Sequence, residues 1–135
     1  VKFIWVLIGL MIAITFLGCS SDVAWAAEQA KSLMASWYSC DSLRAEGTWK
    51  NGKEQRCADG SLFNDMGFTC ASCDYLLHTR LLISRGEKSV VVTVTDRTNR
   101  RFKGKRIDLT PAVFKILSPS GTLKEGLIKV TVEKI

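Results

Sequence analysis

Two sets of residues in this 135-residue chain have the chemistry to act on another molecule: a group of cysteines, and an aspartate-arginine pair at the end of a β-branched run. Cys70-Ala71-Ser72-Cys73 has the CxxC spacing of a redox pair. That chemistry places the pair at a strand-to-helix turn of a βαβ chain, and little in the sequence predicts one. A zinc site would use Cys40, Cys57, Cys70 and Cys73 together, yet the stretch from Cys40 to Cys57 holds no second CxxC. Four thiols in an oxidising compartment instead predict two disulfides with three possible connectivities. The pairing adopted is Cys40 with Cys70 and Cys57 with Cys73, each bridge contributing about 2–5 kcal/mol.

Asp96-Arg97 follows Ser89-Val90-Val91-Val92-Thr93-Val94-Thr95 without a break, which puts the pair at a strand end. A carboxylate there becomes an acid/base group if an apolar barrel mouth raises its pKa, and Arg97 opposes that shift if it pairs with Asp96. Asp59, Asp65 and Asp74 are candidates for a second carboxylate, whereas Asp108 reads as a residue fixing the loop before a helix. Ser61 and Ser72 read as loop hydroxyls. His78 is the sole histidine and reads as a surface residue, so no histidine base is at hand.

The elements that must position these groups are mostly strands. Ala35 to Ser39 has strand character, residues 41 to 61 read as a long polar loop, and a short strand is expected near Phe68-Thr69-Cys70. Thr79 to Ser84 and Ser89 to Thr95 form a hairpin around Arg85-Gly86-Glu87-Lys88. Thr110 is the expected N-cap and Pro111 the first residue of a helix ending at Leu117. Leu127 to Glu133 alternates apolar and polar residues as a half-buried strand does. Many short strands with one capped helix predict an all-β fold, a small closed barrel.

The N-terminus reads as an address. Lys2 precedes an apolar run of 15 residues, Phe3 to Leu17, shorter than the ~20 a spanning helix needs and suited to a signal segment. Phe16-Leu17-Gly18-Cys19 is similar to a lipobox, which makes 1–18 a lipoprotein signal peptide, Cys19 the lipidated residue and 19–34 a tether to a domain at 35–135. Ala24-Trp25-Ala26 is the competing site, with secretion after Ala26. Ser20 after the cysteine points to the periplasmic side of an outer membrane, anchored by the acyl chains. The net charge of +6 suits an anionic partner, and export makes nucleic acid the weakest one.

Ala35-Ser36-Trp37-Tyr38, Ala58-Asp59-Gly60, Phe68-Thr69-Cys70-Ala71, Val94-Thr95-Asp96-Arg97 and Arg106-Ile107-Asp108-Leu109-Thr110 occur in the order found in the rare lipoprotein A family, which this chain resembles from about Met34 to Ile135. The resemblance implies a six-stranded double-psi β-barrel, a fold shared with expansins, and action on peptidoglycan glycan strands as a lytic transglycosylase. Active members of that family carry a Glu, a His and an Asp. In this chain Ser61 and Ser72 stand at the first two positions, and Asp96 keeps the third.

Asp96 is thus the implied acid/base residue. Trp37, Tyr38, Asp59, Ser61, Ser72 and Arg97 are the implied substrate-binding residues, with Trp37 and Tyr38 stacking on sugar faces unless strand alternation sends one of them inward. A lytic transglycosylase can manage with one acid/base group, because the substrate's own 6-hydroxyl is the nucleophile. The rivals are a glycan-binding module without turnover, behaving like an expansin, and a thiol oxidoreductase using Cys70 and Cys73. No cofactor or metal is called for, and a monomer is expected.

Overall fold

The computed structural model describes residues 29–47 and 55–135. The signal-like segment, Cys19, the alternative site at Ala26 and most of the tether lie outside the described residues, as does part of the polar loop, 48–54. Among the described residues, no helix is long and apolar enough to cross a membrane.

Six strands form the fold: β1 (Lys31–Trp37), β2 (Thr69–Ala71), β3 (Arg80–Arg85), β4 (Lys88–Asp96), β5 (Arg106–Leu109) and β6 (Ile128–Lys134). They close into a barrel in the order β1-β5-β2-β4-β3-β6, as the sequence predicts. The pairs β1/β5 and β2/β4 are parallel and the others antiparallel.

Alternation builds the interior. Val90, Val92 and Val94 of β4, Ile107 and Leu109 of β5, and Val130 and Val132 of β6 all point inward and are buried. Helix α2 (Pro111–Leu117) packs on β4 and β1 and adds Val113, Phe114 and Leu117 to that core. The barrel has no open interior, because these side chains fill it. The β3–β4 hairpin turns at Gly86, whose φ of +59° is one that side-chain-bearing residues rarely adopt.

Several boundaries differ from the sequence expectation. Strand β1 begins at Lys31 rather than Ala35, and Leu33 is already core, so the domain reaches into the stretch read as a tether. A short helix, α1 (Cys40–Ala45), opens what was expected to be loop. A reciprocal capping box explains it: Ser39 Oγ accepts from the Ser42 N–H and Ser42 Oγ accepts from the Ser39 N–H. Arg106–Leu109 is strand β5, where the sequence suggested a lead-in to the helix. Thr110 does precede α2, but its hydroxyl caps nothing. It is fully buried and donates to the Gly67 carbonyl at 2.5 Å, tying the helix start to the entry of β2.

The two expected disulfides are not present. Cys40, Cys57, Cys70 and Cys73 are all free thiols. Alternation along β2 sends Cys70 into the apolar core, fully buried, while Cys40 opens α1 near the surface. Burial also pushes the Cys70 thiol well above its ordinary range, which disfavours its thiolate.

Phe114 is the largest fully buried side chain. Phe114→Ala should therefore cost about 3–5 kcal/mol, measured as a lower denaturant midpoint with an unchanged slope.

Candidate functional site

A one-residue slip in strand pairing creates the site. Cys70 of β2 pairs with Val94 of β4, but Ala71 pairs with Asp96, so Thr95 is skipped. Side chains alternate with period two, so a bulge of one residue moves Asp96 to the side of the sheet that Ala71 occupies. On the other edge of β2, Ala71 pairs with Asp108 of β5, which in turn pairs with Ser36 of β1. Asp96, Ala71, Asp108 and Ser36 therefore form one row across four neighbouring strands. Strand spacing puts the two aspartate Cα atoms on the order of 10 Å apart. Ala71, which lies between them in this row, is buried.

This row floors a groove of about 500 Å³ on the outer face of the barrel. Asp96 lines this groove and is partly exposed there. Trp37, Tyr38 and Phe102 also line it, together with Arg97, Arg101 and Arg106. The guanidinium groups of Arg101 and Arg106 lie 4.6 and 4.3 Å from the centroid of the Phe102 ring.

The two carboxyl groups are held differently. Asp96 Oδ1 accepts from the backbone N–H groups of Ala58 (3.0 Å) and Arg97 (2.9 Å). Its Oδ2 accepts nothing from the described residues. The Arg97 guanidinium does not pair with it, reaching instead toward the Tyr75 carbonyl at 3.5 Å. Asp108 is half-buried and accepts from Ser36 Oγ. Burial pushes its carboxyl above the ordinary value. The Ser36 bond and the Arg106 charge oppose that, while Glu46 and Asp96 reinforce it. Asp108 therefore tends to keep its proton.

Tyr38 adds an unspent donor. Its ring lies 4.4 Å from that of Phe63, and its hydroxyl is buried with no partner among the described residues. Burial raises its pKa first and the Asp96 charge second, so the phenol stays protonated and can donate. Trp37 is pinned by its Nε1–H to the Leu123 carbonyl at 3.3 Å and rests partly on the core.

The remaining expected site residues fall away from the groove. Ser72 is fully buried and its Oγ accepts from the Asp74 N–H, so it cannot meet a substrate. Ser61 is exposed but bonded through N–H and Oγ to Asp59 Oδ1, and neither residue lines the groove. Their turn still bears on the site, because the Ala58 N–H holds Asp96 and the Asp59 N–H bonds to the Thr95 carbonyl. Asp65 and Asp74 bind backbone N–H groups of Cys40 and Gly104. The second carboxylate is instead Asp108, which sequence reasoning assigned to a loop. Its place in the alternating segment Arg106-Ile107-Asp108-Leu109, with apolar 107 and 109, was the signal that could have found it. His78 is exposed, as expected, and has a positive φ of 70°.

No protein-family model matches the sequence, and no curated protein matches it significantly. Solved structures do. The Streptomyces papain inhibitor aligns with 81% of this chain and 96% of its own length, at a TM-score of 0.59 and 17% identity. Cerato-platanin 2 of M. perniciosa covers 77% of this chain and 94% of its own, at 0.53 and 12%. A mutant of the Clavibacter michiganensis expansin, solved in complex with cellohexaose, covers 79% of this chain at 0.56 and 15%. This chain spans about half of that expansin. The fold is thus that of a double-psi β-barrel protein. Such neighbours do different things, so the fold alone assigns no activity.

Because the folded protein raises the Asp108 pKa, the stability linked to that group is present below its ordinary value of 3.8 and is lost as pH rises through the folded value. Asp108→Asn should therefore be more stable than wild type near neutral pH, with the gain vanishing below pH 3.8. Thermal unfolding across that range checks it.

Proposed function

We propose that this protein is an envelope protein that binds peptidoglycan glycan strands in the Asp96–Asp108 groove and cleaves them as a lytic transglycosylase. The observation that carries the reading is the pair of unlike carboxyl groups in one open, aromatic-lined groove, one of them with a raised pKa. The resemblance of five sequence blocks to rare lipoprotein A supports the substrate. The cellohexaose complex of the expansin mutant supports a polysaccharide in a groove of this fold. The signal-like N-terminus with its lipobox supports placement at the periplasmic side of the outer membrane.

In this reading Asp108, not Asp96, carries the proton. It protonates the glycosidic oxygen as the bond to C1 breaks. The strand's own 6-hydroxyl closes on C1, and its proton returns to Asp108, leaving a 1,6-anhydro end without consuming water. Asp96 faces the positive charge that develops at C1.

A second reading, binding without turnover, is favoured by a specific observation. The family's Glu and His positions are Ser61 and Ser72 here, and neither lines the groove.

Incubation with purified sacculi separates the two. The catalytic reading predicts soluble anhydro-muropeptides, reduced about 10²–10⁴-fold in Asp108→Asn and also lost in Asp96→Asn. Co-sedimentation with sacculi but no product across a range of pH would leave only binding. Neither product nor co-sedimentation would remove the glycan reading altogether.

A further inference from the structure

The groove continues at Arg97, Thr98 and Asn99 into a second cavity of about 780 Å³, which Cys73, Arg100 and Lys103 complete. Three of the six lining residues are cationic. Arg100 and Lys103 form no ion pair with the described residues, and the Arg97 guanidinium reaches only the Tyr75 carbonyl. Two carboxylates adjoin these residues in the chain: Asp74, both of whose oxygens accept from the Gly104 N–H at 2.8 and 3.0 Å, and Asp96, whose Oδ1 accepts from the Ala58 and Arg97 N–H groups and which forms no ion pair with Arg97. Asn99 is occupied too, its side chain accepting from the Arg101 N–H and its carbonyl lying 3.7 Å from Cys73 Sγ.

Thr98 supplies an independent sign of a missing ligand. It is 9% exposed and lines both cavities, and its Oγ1 is buried without a partner among the described residues. A buried hydroxyl left unpaired costs about 1–3 kcal/mol, and a ligand oxygen at the junction of the two cavities would satisfy it. Guanidinium groups favour planar oxyanions, and a lysine adds a point charge.

We infer that this cavity is an anion subsite, which takes the carboxylate or phosphate oxygens of an acidic group carried by the polymer in the groove. That the polymer is a glycan rests on the proposed function, whereas binding of the anion does not. On a peptidoglycan strand freed of its stem peptides the group is the lactyl carboxylate of the muramyl sugar, which is otherwise tied up in an amide. The subsite would make the protein select acidic strands over neutral ones of the same backbone.

Calorimetric titration of the full chain tests this with three probes: neutral chitohexaose, muramyl glycan strands stripped of peptide, and inorganic phosphate. The comparison protein is the double variant R100Q/K103Q, whose changed residues are exposed and outside the carboxylate row. Wild type should bind muramyl strands about tenfold more tightly than chitohexaose, with the gain shrinking as salt rises. The variant should lose that gain and keep its affinity for chitohexaose. Preference for phosphate, with no gain from the lactyl group, would support the subsite and assign its anion to a phosphate substituent. Phosphate binding by wild type and not by the variant, with neither glycan bound, would keep the subsite and reject the glycan reading. Equal affinity of wild type and variant for both muramyl strands and phosphate would overturn the inference.

Discussion

The functional geometry depends on one irregularity, the skipped residue between Val94 and Asp96 where β4 pairs with β2. Without it, Ala71 would face Thr95, and Asp96 would stand on the wrong side of the sheet to share a groove with Asp108. The slip is held from both directions. The Ser72 N–H bonds to the Asp96 carbonyl, the Asp59 N–H bonds to the Thr95 carbonyl, and the Asp96 side chain takes the Ala58 N–H. The loop before β2 thus clamps the bulge, which ties a segment that looks irregular in sequence to the position of the carboxylate.

The two carboxyl groups then differ because their surroundings differ. Asp96 lies at a strand end among backbone N–H groups, while Asp108 sits inside a strand whose neighbours Ile107 and Leu109 are fully buried. Partial desolvation favours the uncharged form of Asp108, and Ser36 and Arg106 limit that effect without removing it. The basic segment from Arg97 to Arg106 adds positive charge beside this carboxylate pair, so one face of the barrel offers an acidic floor with a cationic edge.

Much of this was legible in the chain. A β-branched run marked β4, its hairpin partner marked β3, period-two alternation marked β6, and Thr110-Pro111 marked the start of α2, because those signals are local. Their sum gave a closed barrel. What the chain hid was non-local. Asp108 gained its role from pairing with Ala71 and Ser36, residues far away in sequence. Ser72 lost its expected role because a tight turn buried its hydroxyl against Asp74. Helix α1 was missed because its capping box uses Ser42 in place of the usual Glu or Gln. Asp96 was expected at the mouth of the barrel, and it lines a groove on the barrel's outer face instead.

The central claim is that Asp96 and Asp108 line the surface a glycan strand occupies, with Asp108 holding the proton. Carboxyl-carbon NMR of the aspartates, titrated with acid alone and then with muramyl glycan strands, tests it most directly. The account predicts an Asp108 midpoint above the ordinary value, and movement of both the Asp96 and Asp108 signals when the strand is added. An Asp108 midpoint at or below that value, or strand binding that leaves both signals in place, would contradict it.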